Sequence, residues 1–169
     1  GSIRLPSLAN GVVGLKPTYG RVSKYGVLAL ADSLDHVGPM VGTSADAAVV
    51  FEAMAGFDDN DSTSLRAPVP DMIKELGKGI KGVRIGFDRG YATENVDAAL
   101  VVSMDSAFST LKQQGAEICE VEFPVVSEEV KQAWFTLCSR EACFSHHKNY
   151  PSRADEYGAY FREFLAMGS

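Results

Sequence analysis

The pattern of apolar and polar positions changes sharply along the chain. The first forty residues carry little periodicity and are broken by Gly and Pro. "SLANGVVGLKPTYGR" holds one short apolar run, Val12-Val13, between glycines, and "KPTYGRVSKYG" reads as loop, punctuated by Pro17, Gly20 and Gly26. "VLALADSLDHVGPM" predicts one or two short buried strands, stopped by Gly38-Pro39. The pattern then turns helical. In "TSADAAVVFEAMAG", Ala47, Val50, Phe51 and Met54 recur at i, i+3, i+4 and i+7 and predict a helix with one apolar face. Thr43 stands at its N-cap with Asp46 as the acidic residue three positions on, and Gly56 is the expected left-handed stop.

"FDDNDSTSLRAPVP" is a polar loop with proline punctuation, and "MIKELGKGIKG" a short amphipathic turn or helix. "VRIGF" alternates like a strand and runs into a glycine-containing loop. A second helix is expected from Val96 to about Gln114, with Val96, Leu100, Met104, Phe108 and Leu111 on its apolar stripe and Gly115 at its end. "AEICEVEFP" predicts a strand, and Ser127 caps a third helix carrying Val130, Trp134, Leu137 and Cys138. "NYPSRADEYG" reads as loop and "EYGAYFREFLAMG" as the start of a last helix. Strand and helix alternate from Val83 to His147. That predicts an α/β fold, a mixed sheet with helices packed on it.

Composition narrows the function classes. At 169 residues the chain can bury a sizeable core, and 46% hydrophobic with 22% charged residues is ordinary for a globular protein. A net charge of -6 with scattered Lys and Arg argues against direct nucleic-acid binding. No apolar run approaches the roughly 20 residues that span a bilayer, and no signal-peptide pattern is present. The cysteines Cys119, Cys138 and Cys143 have no metal-ligand spacing and read as reduced thiols of a cytoplasmic protein.

The candidate chemistry lies at the start. A serine hydroxyl needs a base to take its proton and donors for the oxyanion it creates. Glycine ahead of it lets backbone N–H groups converge on one point. Gly1-Ser2 is also the dipeptide a protease leaves on removing a tag, but Ile3-Arg4 favours the glycine-loop reading. The stretch Gly1, Ser2, Ile3, Arg4 and Pro6, then Gly14, Leu15, Lys16, Pro17 and Thr18, closely resembles the amidase signature family. "SLDHVGPMVGTSADAAVVFEAMAG" and "DDNDSTS" continue the likeness to about residue 65, beyond which it is diffuse but collinear.

The resemblance implies a part of the larger amidase-signature α/β/α fold, with residues 1–169 a single partial domain cut at both ends relative to the family. It implies that Ser2 is the nucleophile, that the N–H groups of Gly1 and Ser2 belong to the oxyanion hole, and that Arg4 supports the nucleophile loop. The family's triad is Ser-Ser-Lys. Its relay serine, held by a cis peptide bond in a Gly-Ser-Ser-Gly-Gly loop, and its lysine lie upstream of the nucleophile, and neither pattern occurs in these residues. This polypeptide alone is therefore expected to be inactive. No metal and no organic cofactor is implied. The expected partner is a small-molecule amide, and a segment lacking its neighbours should leave an open sheet edge and an apolar patch near Ser2, which another chain or a homodimer would cover.

Other groups carry blander readings. Lys16 belongs to the signature but not to the triad, and Ser7, Ser23 and Ser33 lie outside any glycine-rich loop, so they read as loop and cap hydroxyls. His146-His147 are adjacent, diverge by about 100° on a helix and read as a solvated helix end. "GKGIKGVRIGFDRG" lacks the dinucleotide spacing, and "DDNDS" lacks the glycine and glutamate of a calcium loop, leaving a polar surface loop. Trp134, Phe135 and Leu137 read as core. The leading function is a serine-nucleophile amidase. The alternatives are the ammonia-supplying glutaminase subunit of a tRNA-dependent amidotransferase and a non-catalytic α/β fragment. Glu141 and Ala142 fit that subunit's third-helix pattern, but the residues after them do not.

Overall fold

The computed structural model describes residues 2–169, so the expectation for Gly1 lies outside the described residues. In chain order the elements are α1 (Arg4–Ala9), β1 (Val13–Gly14), β2 (Met40–Val41), α2 (Ser44–Met54), α3 (Met72–Leu76), β3 (Arg84–Phe87), α4 (Arg89–Thr93), α5 (Ala98–Gln113), β4 (Glu117–Glu120), α6 (Glu128–His146), a 3-10 turn (Ala154–Glu156) and α7 (Ala159–Met167). They fall into two compact units: one of residues up to Ile73 together with Ser127–Ser169, the other Lys74–Val126. Both strand senses of a mixed α/β protein are present, as one antiparallel and one parallel pair in separate two-stranded sheets.

In the first unit, α1 was not legible as periodicity. Its six residues are too few to show a face, and Pro6 argues locally against helix. Pro6 is tolerated because it lies in the first turn, where N–H groups have no intrahelical acceptor. Ser7 closes the turn through its hydroxyl, which donates to the Ile3 carbonyl at 2.7 Å. The chain then enters β1, paired with β2 so that Val13 faces Val41 and Gly14 faces Met40.

The strands expected between Val27 and Val37 do not form. Leu30 and Ala31 donate their N–H groups to Asp35 Oδ2 at 2.8 and 3.2 Å, and the Leu34 and Asp35 N–H groups turn back to the Ala31 carbonyl. Backbone groups satisfied locally by an aspartate are withdrawn from a sheet ladder. Leu28, at 74% exposure, is not a core strand residue. Gly38-Pro39 therefore precede a strand, β2, rather than stop one.

In α2 the cap is as expected: the Thr43 side chain accepts from the Asp46 N–H. Ala47, Ala48 and Phe51 form its buried face, while Met54 is exposed. The stop differs. Ala55 is already extended and bridges Val22, and Gly56 follows at φ +147 with its N–H on the Arg21 carbonyl. Tertiary pairing, not a glycine cap, ends the helix. At the other end of the chain α6 packs on α7, burying Ser139, Ala142 and Leu165, with Phe135 edge-on to Phe164 at 5.6 Å.

The second unit is a β-α-β crossover. β3 and β4 run parallel, with Ile85 opposite Ile118, and the connection carries α4 and α5. α4 replaces the loop expected after β3, because Asp88 caps it by accepting from the Tyr91 N–H at 2.9 Å. Phe108 of α5 meets Phe87 of β3 at 4.3 Å between ring centroids. Gly115, at φ +92, turns the chain from α5 toward β4 as expected. Among the described residues no helix is long and apolar enough to cross a membrane.

Candidate active site

Ser2 sits exposed in the turn ahead of α1, where it lines two neighbouring cavities. The residue beside it, Ile3, is buried and anchors the turn. Gly38 makes that anchoring possible. A Cβ there would lie 2.2 Å from the Leu15 carbonyl oxygen and 2.9 Å from Ile3 Cδ1, so the backbone can pass this close only without a side chain.

The smaller cavity, of about 240 Å³, is walled by Val27, Leu28, Ala29, Lys24 and Asp32, and the larger, of about 390 Å³, by Ile3, Leu5, Leu34, Trp134 and Cys138. Leu30, Asp35 and His36 border both, so the loop 27–37 is their shared wall. Three contacts hold that loop. Asp35 gathers its own loop amides, as described above. Lys24 Nζ bonds the Tyr19 hydroxyl at 3.0 Å, Asp32 Oδ1 at 3.2 Å and the Asp32 carbonyl. Glu141, on α6, accepts the Ser33 N–H on Oε2 at 2.9 Å and the Ser33 hydroxyl on Oε1 at 2.5 Å.

Electrostatics support this frame. Burial works against the Lys24 ammonium, but its bonds to Tyr19 and Asp32 outweigh it and raise its pKa, so Lys24 is a fixed cation. Asp61 accepts the Lys24 N–H at 2.8 Å and the Thr63 hydroxyl at 2.7 Å, which hold its carboxyl below the usual range. Asp58 is held low in the same way, first by the Ser23 hydroxyl at 2.7 Å. The segment read as a polar surface loop is thus in part an internal brace, with Asp61 only 8% exposed. Burial, with Glu141 and Asp35 nearby, pushes the Cys138 thiol up.

Of the residues singled out in the sequence, Ser2 and Arg4 both line the larger cavity, Arg4 as an exposed side chain at the start of α1. Gly1 lies outside the described residues. Lys16 also lines this cavity, with its ammonium on the Pro17 carbonyl at 2.6 Å. Ser7, Ser23 and Ser33 each spend their hydroxyl on a structural acceptor. The histidine pair divides. His147 is exposed, but His146 is buried, with Nδ1 2.9 Å from the Tyr157 hydroxyl and its ring 5.1 Å from Phe161, because the chain folds back over the end of α6. The solvated-end reading fails for His146. Trp134 is likewise not core: it is 60% exposed and walls the larger cavity.

Lys24, Asp35, Cys138 and Glu141 escaped notice as site residues. Spacing offered one signal: Trp134, Cys138 and Glu141 are four and three apart and so share one face of α6. Among the described residues no group of three or more His, Cys, Asp or Glu side chains could hold a metal ion, and the three cysteines are unpaired.

An exposed serine in a turn before a short helix, bordered by a braced loop and a helix face, matches a known class of fold. The chain belongs to the Amidase family, whose model matches residues 1–167. It is 46% identical over 142 residues to a glutamyl-tRNA(Gln) amidotransferase subunit from Geobacter sp. (strain M21), covering 84% of this chain and 29% of that protein. It superposes with a TM-score of 0.79 on the peptide amidase of Stenotrophomonas maltophilia, at 30% identity over 98% of this chain and 38% of that one. A chain from a vestigial protein complex bearing on the origins of an s-triazine catabolic enzyme matches with a TM-score of 0.85, at 30% identity over 99% of this chain and 36% of that one. The chain thus spans about a third of the length of these relatives.

Proposed function

We propose that this chain carries the nucleophile of an amide hydrolase. Ser2 Oγ attacks the amide carbonyl carbon, the C–N bond breaks as the amine or ammonia takes up a proton, and water then opens the acyl-Ser2 ester to release the acid. The N–H groups of Gly1 and Ser2 hold the oxyanion, and Arg4 supports their loop. The observation that supports this most is the position of Ser2 at the edge of both cavities, in a chain matched by the family model over residues 1–167.

The base is a different matter. A lysine acts as a base only when neutral, and Lys24, the cation bordering the smaller cavity with Ser2, has its pKa raised instead. Lys16 is committed to a carbonyl. The relay serine and lysine are therefore supplied by residues outside these 169, and residues 1–169 form part of one larger domain. Leu5, Leu8, Val27 and Leu28, all exposed around Ser2, are the surface which that remainder or a second copy covers. The reading includes a cytoplasmic location with reduced cysteines. It is tested by Ser2→Ala in the intact protein: hydrolysis of simple amides should fall to background, and retention of the normal rate refutes it.

A second reading has support in the name of the Geobacter relative: this chain as the ammonia-donating component of a tRNA-dependent amidotransferase, with nucleic acid bound by other chains. Glutaminase activity that appears only with partner subunits would favour it.

A further inference from the structure

The wall of the larger cavity has a chemical bias. Ile3, Leu5, Leu30, Leu34 and Trp134 line it. Of the charged groups around it, three are already committed. The Lys16 ammonium is on the Pro17 carbonyl, Asp35 Oδ2 holds the Leu30 and Ala31 amides, and His36 Nδ1 is 2.7 Å from the Leu34 carbonyl. Arg4 is left as a cation where the cavity meets the Ser2 turn. The cavity therefore offers no matched pair of charges for a zwitterionic amide such as glutamine. Its volume, about 390 Å³, falls within the ordinary range of small-molecule sites, roughly 300–1,000 Å³.

We infer that Trp134 is the specificity-determining residue of the Ser2 site and that it selects neutral carboxamides with an aryl or bulky alkyl acyl group. This rests on Ser2 being the nucleophile. An indole held on a helix face is large and has few rotatable bonds, so it offers apolar contact at small entropic cost. Two turns along the same face of α6, Glu141 grips Ser33 in the loop that forms the opposite wall. The helix bearing Trp134 and the loop bearing Leu30 and Leu34 are thereby held at a set separation. An acyl group placed between them loses water on both sides, whereas an acetyl group is too short to reach the indole.

The test uses the intact protein with three amides: phenylacetamide, acetamide and glutamine. The natural protein should favour phenylacetamide. Trp134→Ala should lower kcat/KM for phenylacetamide by about 10–100-fold, mainly through KM, and leave acetamide within about twofold. Trp134→Phe should recover most of the loss. Thermal melting of each variant separates misfolding from lost contact, and Trp134→Leu serves in place of the alanine variant if that one does not fold. Preference of the natural protein for glutamine, or an equal fall on all substrates in a folded variant, overturns the inference. Ser2→Ala, run beside them, separates the two claims. If it abolishes all hydrolysis while Trp134→Ala shifts every amide equally, only the specificity assignment fails. If it leaves hydrolysis intact, the nucleophile assignment itself fails.

Discussion

Removing the Glu141 carboxylate tests whether α6 truly holds the loop beside Ser2. Both carboxylate oxygens are used, one on the Ser33 N–H at 2.9 Å and one on its hydroxyl at 2.5 Å. A hydrogen bond to a charged group contributes about 1.5–3 kcal/mol. Ser33 is exposed, so solvent competes for both bonds, and the pair together is worth about 1–3 kcal/mol. Glu141→Ala in the intact protein should lose that much in urea unfolding. Ser33→Ala removes only the hydroxyl bond and leaves the backbone N–H in place, so it should cost about half. The double variant isolates that one bond. The two changes should fail to add by about 0.5–1.5 kcal/mol, and Glu141→Gln, which keeps one acceptor oxygen, should fall between natural and alanine. Amide hydrolysis should drop in the same order, because the loop supplies one wall of each cavity. Additivity within about 0.3 kcal/mol, or unchanged kcat/KM in Glu141→Ala, would refute the claim that this contact positions the loop.

Two further perturbations address the frame of the site. The Asp61 carboxyl is held low by the Lys24 and Thr63 donors, so its stabilisation is present above the unfolded pKa of about 3.9 and fades as pH falls through the lower folded value. Asp61→Asn should therefore be less stable near neutrality and converge with the natural protein in acid. Urea midpoints measured from about pH 7 down to about pH 2.5 would show this, and a gap that does not change with pH would count against it. Gly38→Ala places a methyl 2.2 Å from the Leu15 carbonyl oxygen and should cost about 1–3 kcal/mol and reduce turnover at Ser2, whereas Gly77→Ala, with nothing within 4 Å, should do neither. Equal melting temperatures for the two alanine variants would remove the close-approach argument.

Much of the local structure was readable from the chain. Thr43 and Ser127 cap α2 and α6 as their spacing implies, and α5 and the β3–β4 pair lie close to where periodicity placed them. These features depend on residues within a few positions of one another. The misreadings have a common cause as well. The apolar run after Val27 looked like strand, but Asp35 takes its amides. α2 ends because Ala55 meets Val22, 33 residues away in the chain, not because of the glycine after it. Apolarity also misled at Trp134, since a large ring on a helix face suits a core and a cavity wall equally well.

The chain by itself determined the α/β alternation, the helix caps and, through the Ser2 stretch, the candidate chemistry, since each follows from neighbouring side chains and short-range backbone preference. Tertiary structure alone decided that Ser33 would meet Glu141 across 108 residues, that Lys24 would be fixed as a cation, and that Trp134 would face a cavity beside Ser2. Such outcomes depend on which backbones are brought within bonding distance. No periodicity along a single segment carries that information.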